Sequence, residues 1–178
     1  MIPAYTAASL SVGTATGCDN RRMPDKPRVP PRWFIRIAWA VHRGIYRGSG
    51  GRLGLWGPKP GKWGAMRLTT RGRRSGVQRS VIVAYFEDGP DLVTIAMNGW
   101  GEGEPAWWLN LQADPAATVE LPGGVRPVRA HAAAGAERER LWARWRELDA
   151  DLDGYAARRT TPTTVVVLAP RPDQQAAT

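Results

Sequence analysis

The strongest periodic signal in the chain lies at residues 32–47, RWFIRIAWAVHRGIYR. At about 100° per residue, Arg32, Arg36, Arg43 and Arg47 fall within about 60° of one another, a single basic stripe. Trp33, Phe34, Ile37, Val41 and Ile45 occupy the opposite face. Such a helix either lies on an anionic membrane or packs its apolar face on its own domain. Before it, residues 1–31 carry five prolines and scattered Gly, Ser and Thr without periodicity, which predicts a disordered tail. The tail makes a poor signal peptide, because its basic residues follow the weakly apolar stretch. A start at Met23 would make the first 22 residues an extension.

From residue 63 the helical period gives way to short β-rich runs separated by turns. Trp63–Thr70 and Arg79–Glu87 flank a Gly-containing turn, and Asp88-Gly-Pro-Asp91 leads into Leu92–Met97. A Gly-rich loop then meets Pro105, placed to start a short helix over Ala106–Gln112. Ala117–Leu121 and Val125–Ala133 flank Pro122-Gly-Gly124, and Glu137–Leu148 reads as a helix with Leu141, Trp142, Trp145 and Leu148 on one face. Thr164–Ala169 is a final apolar strand. Many short strands with two small helices predict a compact antiparallel barrel, mainly β, rather than a βαβ sheet. The chain thus divides into a disordered tail (1–31), the amphipathic helix with a Gly/Pro-rich connector (32–62), a barrel domain (63–171) and a disordered end (172–178).

Charge sharpens this division. Of the 25 Lys/Arg, eleven precede Trp63, where the acidic residues are Asp19 and Asp25 alone, so the net +9 belongs to the N-terminal third. The remaining domain is neutral, unlike a nucleic-acid binder with a basic patch interleaved with aromatics. One cysteine, Cys18, excludes an internal disulfide, and two histidines among few candidate ligands give no metal site. No Ser–His–Asp arrangement or carboxylate pair emerges, and a lone strand histidine such as His131 is more often structural than catalytic. Gly48-Ser-Gly-Gly-Arg-Leu-Gly54 lacks the preceding strand and following helix of a dinucleotide fingerprint and reads as a flexible connector.

Two segments carry candidate chemistry. Thr69-Thr-Arg-Gly-Arg-Arg-Ser-Gly-Val-Gln-Arg79 gathers Arg71, Arg73, Arg74, Arg79 and Ser75 around two glycines, with no acidic residue between Arg67 and Arg79. Guanidinium forks and close backbone N–H groups suit phosphate and carboxylate oxygens, whereas the bland alternative is a solvated basic hairpin. The second, Ala96-Met-Asn-Gly-Trp-Gly-Glu-Gly-Glu-Pro-Ala-Trp-Trp-Leu-Asn-Leu111, is a glycine loop ending at a helix start, able to offer amides to an anion or a polar ring edge. Adjacent residues cannot share a helix face, so one of Trp107 and Trp108 is expected to pack inward and the other to border a cleft.

Together these motifs resemble the deazaflavin-dependent nitroreductase and quinone reductase family, in which Thr-Thr-x-Gly-Arg-Lys-Ser/Thr-Gly-x-x-Arg matches Thr69–Arg79. Asp88-Gly89, Asn98-Gly99, Pro105-Ala-Trp-Trp-Leu-Asn-Leu111, Asp114-Pro115 and the Pro162…Val-Val-Val-Leu168 end follow in the family's order. The resemblance spans roughly residues 32–171. It implies a split β-barrel, like that of flavin-binding proteins, with an N-terminal helix and two short helices. It implies hydride transfer from reduced coenzyme F420 to a quinone, nitroaromatic or other electron-poor acceptor, with FMN or FAD as second-choice cofactors. By the same resemblance Arg73, Arg74, Ser75, Gly76 and Arg79 grip the coenzyme's phosphate and acidic tail. Met97, Asn98 and Gly99 border the ring, Trp107 walls the pocket, and Trp100, Trp108 and Tyr155 line the acceptor side. No side chain is implied as a chemical catalyst, since the cofactor carries the chemistry. A cytoplasmic enzyme, peripheral on the inner face of the membrane and homodimeric as related barrels commonly are, completes the expectation that the resemblance gives. The sequence departs from the pattern at Asn98 and Arg74, where lysine is frequent, at Trp108, where tyrosine is, and at Trp100, where glycine is. Trp100 narrows the expected pocket mouth. The contrasting reading, from a different class, is a non-catalytic flavin, haem or lipid carrier on the same barrel.

Overall fold

The computed structural model describes residues 54–99 and 101–171. The expected tail over 1–31, the helix expected over 32–47, Trp100 and the residues 172–178 lie outside the described residues. Six strands run in the order β1 (Gly64–Arg71), β2 (Gln78–Asp88), β3 (Asp91–Ala96), β4 (Ala116–Leu121), β5 (Gly124–Ala132) and β6 (Thr164–Pro170). They close as β1-β2-β3-β6-β5-β4, with β4 returning to β1 and every pairing antiparallel. Closure leaves no open sheet edge to template aggregation. Helix α1 (Ala106–Ala113) carries the chain from β3 to β4, and α2 (Gly135–Leu148) and α3 (Leu152–Ala156) lie between β5 and β6.

Two cores explain the pattern of apolar residues. Met66, Leu68, Tyr85, Leu92, Val119, Val128, Val166 and Leu168, drawn from all six strands, fill the barrel interior. Phe86, Val93, Ile95, Val165 and Val167 point the other way, onto Leu141, Trp145 and Leu152 of the helices. Because successive strand residues face opposite sides, β3 and β6 contribute to both cores and read as unbroken apolar runs. The ring of Phe86 meets Trp145 edge-on, centroids 5.2 Å apart, which fixes α2 against the outside of the barrel.

Three sequence expectations change. A third helix, α3, occupies Leu152–Ala156, which has too few residues and too poor a helical composition (Asp153, Gly154) to register as periodic. Pro105 is the extended N-cap of α1, φ −66° and ψ 145°, rather than its first helical residue. Most consequentially, Trp107 and Trp108 are both buried and both belong to the interior core. Helix α1 packs against β1 and β2, and its two adjacent indoles, centroids 6.4 Å apart and tilted by 65°, join the same core.

The described part of the Gly/Pro-rich connector is built onto the barrel. Residues 56–65 form a hairpin in which Trp56 and Ala65 exchange backbone hydrogen bonds and Lys59 pairs with Lys62 at the tip. Gly64 permits this approach: a Cβ there would lie 2.7 Å from Trp56 O, Pro58 N and the Tyr85 ring. Trp56 and Trp63 stack on its exposed side, centroids 5.7 Å apart.

Candidate functional site

Strand direction alone brings the two candidate segments to one end of the barrel. Arg71 pairs with Gln78, Thr70 with Ala117, and Ala96 with Thr164. The ends of β1 and β3 and the starts of β2, β4 and β6 therefore share a rim. That rim carries the arginine turn 72–77, the loop 97–104, α1 and the segment 157–163 that leads into β6.

The arginine turn is tightly made. Gly72 N–H donates to Val77 O at 2.9 Å and Gly76 N–H donates to Gly72 O at 2.7 Å. Gly76 has φ +68°, in the left-handed region, and Gly72 is so enclosed that a Cβ would lie 2.9 Å from Val77 O. From α1, the buried Asn110 braces the turn: its Oδ1 accepts Arg73 N–H at 3.1 Å and its Nδ2 donates to Thr70 Oγ1 at 3.1 Å. Sequence reasoning missed Asn110. Its only local signal is a polar residue inside the apolar run Trp107-Trp-Leu-Asn-Leu111.

With its backbone anchored from behind, the turn presents Arg73, Arg74, Ser75, Gly76 and Arg79 to solvent. None of Arg71, Arg73, Arg74 and Arg79 forms an ion pair with a described acidic residue. Arg67, by contrast, is bound to Glu120 across β1 and β4. Guanidinium groups without a described carboxylate partner, on a braced backbone, have the chemistry to take an anion.

The loop 97–104 leaves β3 and returns to α1. Asn98 and Gly101 form a bridge, Gly101 N–H donating to Asn98 O at 2.9 Å, with Gly99 at φ +54°. Asn98 Nδ2 donates to Glu102 O, so its side chain holds the loop's own shape. Trp107 keeps a slight exposure at this rim, 8%, compared with 5% for Trp108, whose Nε1 donates to Glu104 Oε1 at 3.2 Å. Trp108 is therefore a core residue tied to the loop through Glu104. Tyr155 is half-buried on α3. His131 is exposed on β5, 3.3 Å from Glu137.

The Glu102 carboxylate accepts the Thr160 N–H at 3.0 Å and the Thr160 hydroxyl at 2.8 Å. These bonds, the Thr160 amide foremost, hold its pKa below the ordinary 4.5, with Thr161 and the Arg159 charge adding to the effect. A lowered carboxylate pKa strengthens the folded arrangement above the ordinary glutamate range and loses that effect as pH falls through the lowered value. The Thr160 amide resonance should accordingly titrate with a midpoint below 4.5, and Glu102→Gln should abolish the titration. A midpoint at or above the ordinary value would contradict the contact.

Comparison with known proteins bears on what this rim receives. The F420H(2)-dependent quinone reductase family matches residues 39–170. The chain belongs to that family. An F420H(2)-dependent quinone reductase of Mycobacterium tuberculosis is 31% identical over 152 residues, covering 79% of this chain and 97% of the relative. A solved F420-H2 dependent reductase is 26% identical, covers 58% of this chain and 92% of its own, and superposes with a TM-score of 0.54. A second structure, described as a domain-swapped dimer, is 24% identical, covers 78% and 99%, and shows the shared fold with a TM-score of 0.57. The barrel is thus of the split-barrel type of the F420 reductases, and this family member is an oxidoreductase that uses reduced coenzyme F420.

The residues present suit that coenzyme. Its phosphate and acidic tail need cationic donors without competing carboxylates, which the arginine turn offers. Its ring edge needs fixed amides, which the 97–104 loop carries on the same rim.

Proposed function

We propose that the protein reduces a quinone with hydride drawn from reduced coenzyme F420, held across the rim formed by the arginine turn and the loop 97–104. The observation that carries this reading is the pairing of an unneutralised, Asn110-braced arginine turn with a glycine loop at one end of the barrel. Arg73, Arg74 and Arg79, with the Ser75 hydroxyl and the Gly76 backbone, hold the phosphate and acidic tail. Met97, Asn98 and Gly99 border the ring, and the edge of Trp107 closes its inner side. Trp100 and Tyr155 shape the acceptor side. When bound, the reduced deazaflavin supplies the hydride.

The chain's own contribution is placement and electrostatics. Fixing the tail at one end and the ring at the other removes much of the rotational freedom that would otherwise oppose transfer. The barrel interior below the rim is filled by side chains, which keeps water from the inner side of the ring. Asn98 in place of a frequent lysine removes one cation, so the turn bears more of the anion's charge.

The acceptor is proposed to be a lipid-dissolved quinone approached from the membrane surface. No helix among the described residues is long and apolar enough to cross a membrane, so the contact would be peripheral. Support comes from the sequence of residues 32–47, whose helical spacing would align Arg32, Arg36, Arg43 and Arg47 opposite an apolar face.

One experiment addresses coenzyme, acceptor and surface together. Full-length protein is mixed with reduced coenzyme F420, and its oxidation is followed by absorbance with a water-soluble quinone, a nitroaromatic, or a quinone dissolved in anionic vesicles. Turnover is expected with both quinones, faster in vesicles at low salt and lowered by added salt. Binding of the coenzyme without turnover of any acceptor would favour the carrier reading instead.

A further inference from the structure

The segment before β6 contains a buried guanidinium that the proposed chemistry does not use. Arg159 is 8% exposed. Its Nη1 donates to Ala96 O at 3.2 Å and to Thr163 Oγ1 at 2.8 Å, and its Nη2 donates to Gly103 O at 2.8 Å. Its Nε is buried without a hydrogen-bond partner, and no described carboxylate forms an ion pair with it. A buried cation whose hydrogen bonds all go to neutral oxygens, with one donor unused and Glu102 acting on it only through its charge, is an expensive way to hold a barrel together.

The three acceptors explain what the guanidinium does. Ala96 ends β3, Gly103 lies near the far end of the loop 97–104, and Thr163 stands just before β6. A planar fork is a side chain able to donate in fixed directions to both ends of a loop at once. On the exposed side of the same loop, Glu102 holds Thr160, the residue after Arg159, by two bonds. The loop is thereby clasped twice to one segment, once through a buried cation and once through an exposed carboxylate.

We propose that Arg159 is a positioning residue, which sets the shape of the loop 97–104 so that Met97–Gly99 meet the ring of the coenzyme. This rests on the assignment of that loop to the ring. Without the clasp the loop's amides lose their fixed direction, while the arginine turn, braced separately by Asn110, keeps its hold on the tail. Ring placement should therefore fail while tail binding persists.

Arg159→Lys in the full chain keeps the charge and loses the fork, and Arg159→Met keeps the approximate volume and loses both. Amide hydrogen exchange is measured on each coenzyme-free protein, then coenzyme binding and turnover with a quinone. In Arg159→Lys the amides of Asn98, Gly99 and Gly101 should exchange at least tenfold faster, with those of Arg73 and Gly76 unchanged. The kcat should fall by tenfold or more, while the coenzyme dissociation constant should rise by less than threefold. Glu102→Gln should give a smaller change of the same kind. Unchanged loop exchange in Arg159→Lys would overturn the clasp, whatever the kinetics. A loosened loop with unchanged kcat would overturn the link to the ring. Failure of the wild-type protein itself to bind the coenzyme would instead strike the proposed function, so the two failures are separable. Should Arg159→Met fail to fold, the lysine variant still decides the question.

Discussion

Replacing Arg73 and Arg79 together with alanine should weaken binding of reduced coenzyme F420 by about 100-fold or more and leave the barrel folded. Each charge-assisted hydrogen bond to an anion contributes about 1.5–3 kcal/mol, or about 10- to 150-fold in affinity. Both arginines are exposed and bonded to no described carboxylate, so their removal leaves no buried partner unsatisfied. The turn itself is held by Gly72, Gly76 and Asn110 through backbone groups and survives the truncation. The affinity of the native protein should also fall with added salt, because the contacts lie at the surface. Arg67→Ala is the matched control: that cation sits on β1, the strand that leads into the turn, but is committed to Glu120, and coenzyme affinity should change by less than about threefold. Isothermal titration of the three proteins measures all of this. Equal affinity in the double variant and the native chain would place the tail elsewhere.

What was legible in the sequence follows from whether a signal is local. The strands announced themselves through composition and turns, and β3 and β6 did so most clearly because both of their faces are buried. The arginine turn was equally plain, since its glycines and arginines are contiguous and need no distant partner to be recognised. Helix α3 was not visible, because five residues containing Asp153 and Gly154 have no period to detect. Asn110 and Arg159 escaped for a different reason. Each acts through partners far away in sequence: Asn110 on Thr70 and Arg73, Arg159 on Ala96 and Gly103. Their types are polar and common, so nothing short of the closed barrel distinguishes a brace from an ordinary surface residue. The tryptophan pair was misjudged by a local rule applied too strictly. Adjacent residues do point to different sides of a helix, yet α1 crosses the rim where the barrel core and the cap surround it, and both sides are interior.

The second large effect follows from that correction. Trp108→Ala should destabilise the protein by about 3–5 kcal/mol, the range for emptying a buried aromatic site, and lower the thermal midpoint by roughly 10 °C or more. The indole packs in the same interior core as Met66, Leu68 and Leu111, and the wide, rigid sheet around it has little freedom to collapse into the void. Trp108→Phe separates volume from hydrogen bonding. It refills part of the site, loses the Nε1 contact to Glu104, and should cost less than half as much. A residue lining an acceptor pocket would behave otherwise, with the Michaelis constant for the acceptor shifting and the melting temperature holding. Thermal unfolding of both variants beside their kinetics with two quinones of different size tells these apart. An unchanged midpoint in Trp108→Ala, with altered preference between the quinones, would return Trp108 to the pocket. The expected result is the reverse, a protein that melts early yet discriminates between acceptors as the native chain does wherever it remains folded.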